Sequence, residues 1–197
     1  APAGNLPSLK AAVDNGADII NVSMVGDEDA DLKLAVNYAY RKGVVLVAAA
    51  GNNFSNLNLG PAYPICIDAN NQKALVLGVS AIGRDHRLAS FSNIGANCID
   101  ITAPGVGINS TVRYSPRNDL TQTYRTNWNG TSFAAPFVSG AAALIKSIQP
   151  TWRPKKIYQA ILQTVHRTPP DDPAAYAELF GAGLLQVDKA VESAAGM

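Results

Sequence analysis

Three short polar segments carry the residue types that acyl-transfer chemistry needs: Ser23-Met24-Val25-Gly26, Ala49-Ala50-Gly51-Asn52-Asn53 and Asn129-Gly130-Thr131-Ser132. The first two each follow an apolar run, and the third opens a long stretch with helical character. A serine at a helix N-terminus preceded by glycine has the backbone freedom to expose its hydroxyl. The positive end of the helix dipole also stabilises negative charge developing beside it. Ser132 is therefore a candidate nucleophile, and the amide of Asn52 a candidate donor to an oxyanion. Each residue also has a purely structural use, because Ser is a preferred helix cap and Asn a preferred turn former. Taken one at a time, the residues leave both uses open.

The elements that would position these segments can be read from hydrophobic periodicity. Leu6, Leu9, Ala12 and Val13 fall at helical spacing, with Pro7 early and Gly16 just after. A strand-like run from Asp18 to Ser23 follows. Asp29 can cap a second helix with an apolar face of Leu32, Ala35, Val36, Ala39 and Tyr40, closed by Arg41, Lys42 and Gly43. Val44 to Ala48, Ala74 to Val79 and Ile99 to Thr102 are further apolar runs. Ser132 to Ile148, Pro154 to Val165 and Val187 to Ala194 read as helices. Strands that are apolar on both faces and separated by helices belong to parallel sheets covered on both sides, so the fold class is α/β. In such sheets ligands bind beyond the carboxyl ends of the strands, which is where the polar segments lie.

The whole string from Asn129 to Gly140 resembles the serine-nucleophile signature of the subtilisin family, G-T-S-x-A-x-P-x-x-[SA]-G, at every fixed position. Val44 to Asn52 is similar to that family's strand ending in A-A-G-N, and Ile19 to Gly26 to its I-N-x-S-x-G strand. The resemblance extends to Leu88–Asn93, Ile101–Gly105 and Gly181–Val187. It implies a subtilisin-like three-layer sandwich with a mainly parallel sheet, here lacking its N-terminal strands. Residues 1–197 would form the C-terminal portion of a single peptidase S8 catalytic domain. The implied activity is that of a secreted or extracytoplasmic serine endopeptidase. Ser132 would attack the scissile carbonyl, with Asn52 and the Ser132 amide holding the oxyanion. Ser23, Met24, Val25, Ala50, Gly51, Asn129, Gly130 and Thr131 would line the substrate cleft. The family also admits calcium, but its tightest site draws largely on upstream residues, so no metal ligand is assigned here.

Members of the family place the catalytic Asp and His upstream of the substrate strand. No D-[ST]-G and no H-G-T-H occurs in this sequence. His86 lies in a polar loop and His166 near the end of a C-terminal helix, and neither matches the motif. A serine hydroxyl needs a base to become nucleophilic, so the chain alone is expected to be nearly inactive, with Asp and His supplied by an upstream segment. The alternative is an inactive pseudoprotease or peptide-binding fragment. Two departures affect the shape of the cleft: Val25 stands where the family commonly has Gly, and Phe133 where small residues or Met are usual.

The 47% hydrophobic and 16% charged composition is that of a compact globule. Sixteen basic and fifteen acidic residues nearly cancel, without a run of like charge, so neither a nucleic acid nor an anionic membrane is expected as partner. The apolar stretch Phe133–Ile145 is broken by Pro136, Ser139 and Gly140 and is expected to be a buried helix rather than a bilayer span. Ala1-Pro2-Ala3-Gly4 has no signal-peptide character and reads as a cut. Composition leaves Cys66 and Cys98 as either one disulfide or two buried thiols. Their places before neighbouring strands resemble a disulfide arrangement of some secreted relatives, so a Cys66–Cys98 bridge is expected. The expected partners are a peptide or protein substrate and, along an uncovered strand edge, the N-terminal portion of the same domain or a second copy.

Overall fold

In a computed structural model, residues 5–69, 74–167 and 178–196 are described. Four parallel strands form the central sheet in the order β1-β2-β3-β4: Ile19–Val22, Val45–Ala49, Leu77–Ile82 and Ile101–Pro104. Register is set by Ile19 opposite Val45, Val47 opposite Leu77 and Val79 opposite Ile101. β2 and β3 are buried along their whole length, which is why their sequences are apolar without alternation.

Side chains of alternating direction separate two cores. Val45, Val47, Leu77, Val79 and Ile101 pack against α3 (Thr131–Ile148), α4 (Pro154–Leu162) and α5 (Val187–Ala195). Leu46 and Ala48 face the other way, onto α1 (Asn5–Asp14) and α2 (Ala30–Lys42). The result is a three-layer α/β sandwich, as the resemblance implies. Tyr158 fastens α4 to the sheet: its buried hydroxyl accepts from Leu46 N at 3.2 Å and donates to Leu46 O at 3.1 Å.

Several sequence expectations hold. Asp29 caps α2, its Oδ1 accepting from Asp31 N at 2.9 Å, and Gly43 closes the helix. Cys66 and Cys98 are joined by a disulfide with Cα atoms 4.8 Å apart, tying the loop ahead of β3 to the loop ahead of β4. α3 runs unbroken through Ser139 and Gly140. It is long and apolar enough by length and composition to cross a membrane. Ala134, Ala135, Val138, Ala141, Ala142 and Ile145 are nevertheless buried along it and pack on the sheet, so it is a core helix here.

Other boundaries are corrected. The third strand spans Leu77–Ile82 rather than Ala74–Val79, because Leu75 and Val76 are buried as core residues before ladder pairing begins at Leu77. The fourth is Ile101–Pro104, two residues later than expected at each end. α4 stops at Leu162, so His166 is not helical; its amide instead donates to Leu184 O at 2.8 Å. An antiparallel hairpin of β5 (Ile108–Thr111) and β6 (Tyr124–Trp128), with a 3-10 turn at Pro116–Asn118 between them, went unread in the sequence.

Candidate functional site

The three polar segments converge at the carboxyl ends of β1 and β2 and the N-terminus of α3. Two glycines permit the close approach. Gly51 has φ of 97°, and a Cβ there would lie 2.6 Å from Asn93 Nδ2 and 3.4 Å from Val25 Cγ2. Gly130, with φ of 152°, is the residue from which α3 starts. A side chain would be strained at both positions.

Thr131 joins the second segment to the third. Its amide and its hydroxyl both donate to Asn52 Oδ1 at 2.9 Å, and its Oγ1 accepts from Gly51 N at 3.0 Å. These bonds occupy the oxygen end of the Asn52 amide. Nδ2 makes no hydrogen bond among the described residues, and it lies 3.4 Å from the point where a Cβ on Gly130 would stand. One amide is thus held by its acceptor end with its donor end presented beside the first turn of α3. The opening amides of a helix have no acceptor inside it, so the Ser132 N–H sits in a donor-rich environment.

Ser132 is half-buried and is not a cap. Gly130 is the N-cap residue, without a side-chain cap bond, and the Ser132 hydroxyl turns away from the helix to donate to Ser23 O at 3.1 Å. Ser23 Oγ in turn donates to Ser132 O at 2.9 Å and accepts from Asn21 Nδ2 at 2.8 Å. The chain continues through Asn21 Oδ1, which accepts from Ser139 Oγ at 2.9 Å. Met24 and Val25 are exposed beyond this lock, and Ala50 and Gly51 are buried opposite them. Asn129 is exposed and holds the next loop through its Oδ1, which accepts from Gly107 N at 2.8 Å. All ten sequence-predicted site residues therefore belong to one region.

His86 and His166 are both exposed, and no hydrogen bond joins either to Ser132. Among the described residues no group of three or more His, Cys, Asp or Glu is placed to hold a metal ion. Sequence reasoning quoted Asn93 but gave it no role. It is buried; its Nδ2 donates to Ala50 O at 2.8 Å, and its Oδ1 accepts from the amides of Asn53 and Ser55 at 3.0 Å. Asn93 thus fixes both sides of the turn that presents Asn52. The only signal for it was an Asn closing a short polar string.

A family model described as the subtilase family matches residues 5–183. Subtilisin DY of Bacillus licheniformis is 39% identical over 186 residues, covering 93% of this chain and 60% of that protein. A thermophilic serine proteinase of Bacillus sp. strain AK1 is 42% identical over 137 residues, 69% of this chain and 30% of that one. Among solved structures, the patellamide maturation protease PatA is 34% identical with a TM-score of 0.76, covering 97% of this chain and 68% of the other. The prenylagaramide maturation protease PagA is 29% identical with a TM-score of 0.78, covering 97% and 66%. The chain thus spans 60% or less of the two curated relatives. With its family model matched over most of its length and its signature residues gathered at one site, the chain belongs to the subtilase family.

Proposed function

We propose that the chain is the C-terminal portion of the catalytic domain of a secreted serine endopeptidase, in which Ser132 forms the acyl-enzyme and Asn52 Nδ2 and the Ser132 amide hold the oxyanion. The observation that carries this reading is the anchoring of Asn52 Oδ1 by Thr131. It leaves the donor end of the amide preorganised next to Ser132 at no cost of reorientation during reaction. The acyl half of a peptide would lie as an added strand along Ser23, Met24 and Val25. Met24 and Val25 make no main-chain hydrogen bond among the described residues.

A nucleophilic serine needs a base within about 3 Å, and the hydroxyl is instead donated to Ser23 O. The general base and its orienting carboxylate are therefore assigned to a segment N-terminal to this one, which would cover the free edge of β1. That same hydrogen bond favours a second reading, a peptide-binding module that does not cut. Treating the active full-length protein with a fluorophosphonate probe and mapping the adduct decides between them. Labelling of Ser132, abolished in Ser132→Ala, is expected. An adduct elsewhere, or none in a preparation that cleaves peptides, overturns the assignment.

A further inference from the structure

The β5–β6 hairpin lies beside the site and has no part in the proposed chemistry. It returns directly into the nucleophile segment, since β6 ends at Trp128 and α3 starts at Thr131. Trp128 stacks on Phe133, ring centroids 5.5 Å apart, and the Arg125 guanidinium sits 5.6 Å from the centroid of the Trp128 ring. A cavity of about 450 Å³ lies on this hairpin, lined by Arg113, Arg125, Trp128, Leu120 and Asp119 among others. Residues 108–128 carry three arginines, Arg113, Arg117 and Arg125, against a single carboxylate, Asp119, and none of the three arginines takes part in an ion pair among the described residues. β6 is exposed at four of its five residues.

Position gives this basic aromatic surface a meaning. The point where a Cβ on Gly130 would stand is 3.4 Å from Asn52 Nδ2 and 3.6 Å from Phe133 Cδ2, so the Phe133 ring borders the oxyanion donor. Val25 meets Gly51 on the other flank, where the acyl half of the peptide is placed. A chain crossing Ser132 therefore leaves over Phe133 and Trp128 toward Arg125. The two ring contacts put the guanidinium within about 11 Å of the Phe133 ring. At about 3.3 Å per extended residue, that span is at most about three residues of chain, which puts Arg125 within reach of the second or third residue after the scissile bond.

Resting on the proposed serine-peptidase function, we infer that the hairpin is a specificity surface for the leaving half of the substrate, selecting acidic side chains two or three residues beyond the cleaved bond through Arg125 and Arg113. Phe133 and Trp128 supply an apolar floor for the intervening residues. The arginines supply charge complementarity, which acts on selection between substrates more than on the chemical step.

The test uses the active full-length protein and quenched fluorescent peptides identical up to the cleaved bond, with Glu, Gln or Lys at the second and third positions after it. The Glu peptide should exceed the Lys peptide in kcat/KM by roughly threefold to tenfold at low salt, the scale of solvent-exposed charge pairs. The ratio should shrink in 1 M salt, where the screening length is about 3 Å. It should fall to about one in Arg113→Ala/Arg125→Ala and invert in Arg113→Glu/Arg125→Glu. A Glu-to-Lys ratio unchanged by the double substitutions overturns the inference. Fluorophosphonate labelling of Ser132 in the same preparations separates the two claims. Labelling without charge discrimination overturns the hairpin assignment alone, and absence of labelling overturns the nucleophile on which it rests.

Discussion

Ser23 Oγ donates to the carbonyl oxygen of Ser132 at 2.9 Å, filling the place that an amide at residue 136 would take in a complete helical hydrogen-bond ladder. Residue 136 is proline, which has no N–H and whose ring crowds the carbonyl four residues back. Pro136 thus frees Ser132 O, and Ser23, just past the end of β1, captures it. The Ser132 hydroxyl returns the bond to Ser23 O at 3.1 Å, so the end of β1 and the start of α3 are clasped by a reciprocal pair.

Removing the clasp should destabilise the chain and loosen Ser132, the proposed nucleophile, together. Ser23→Ala leaves the part-buried Ser132 carbonyl without its donor, at about 1–3 kcal/mol. A denaturant midpoint lowered with unchanged slope, together with a fall in kcat, is expected. An unchanged midpoint would show that water replaces the hydroxyl and that the clasp contributes nothing.

Asn52 has separable halves. Asn52→Asp retains an acceptor for Thr131 N and Oγ1 but deletes the Nδ2 donor and places negative charge at the proposed oxyanion site. In the full-length enzyme kcat should fall by at least about 10²–10³, a magnitude known from the corresponding donor in subtilisin itself, while the melting temperature stays close to that of the parent. Asn52→Ala should lose both. Equal kcat in parent and Asn52→Asp would remove Asn52 from the oxyanion site.

The α/β class was legible because Val44–Ala48 is apolar at every residue, the mark of a strand covered on both faces. The candidate site was legible because its residues are compressed into contiguous strings, Ala49–Asn53 and Asn129–Ser132. The hairpin escaped because its exposed, polar strands have no apolar period, and one face of Tyr124–Trp128 has nothing to bury. The start of β3 was misplaced because Leu75 and Val76 are as buried as strand residues without pairing as such. Asn93 was missed as a positioning residue because its three partners are 38 to 43 residues away in sequence.

Asp100 gives the fold a pH dependence of definite sign. Burial pushes its carboxyl up to about 7; the Gly78 amide, donating to Oδ2 at 2.6 Å, works the other way, and the nearby Asp68 carboxylate adds to the rise. A folded pKa above the unfolded value of 3.8 means that the native state holds the proton more tightly. Stability from this group is therefore greatest below about pH 4, declines as pH rises towards 7, and stays lower above it, by on the order of a few kcal/mol. Asp100→Asn keeps an oxygen for Gly78 N and should flatten that decline. Melting temperatures of parent and variant that run parallel between pH 4.5 and 8 would refute the shift.

The Cys66–Cys98 bridge closes 32 residues, and by loop-closure entropy it should contribute roughly 3–4 kcal/mol. Thiol titration under denaturing, non-reducing conditions should find no free group, and reduction should lower the denaturant midpoint. Two titratable thiols before reduction would contradict the bridge.

The free side of β1 makes the final prediction. Ile19–Val22 pair with β2 on one side and with no strand on the other among the described residues. A cavity of about 380 Å³ adjoins β1, its lining including Ile20, Val22, Met24, Leu9 and Leu32. An unpaired strand edge beside apolar surface is a template for another chain, because it offers main-chain donors and acceptors and buries hydrocarbon at once. The exposed Met24 and Val25 extend the surface past the end of the strand. Residues 1–197 expressed alone should therefore associate at micromolar concentration, either with themselves or with an added N-terminal portion of the same catalytic domain. Adding that portion should dissolve the self-association, since both would use the same edge. Light scattering that finds a stable monomer, indifferent to the added portion, would show that the β1 edge needs no cover.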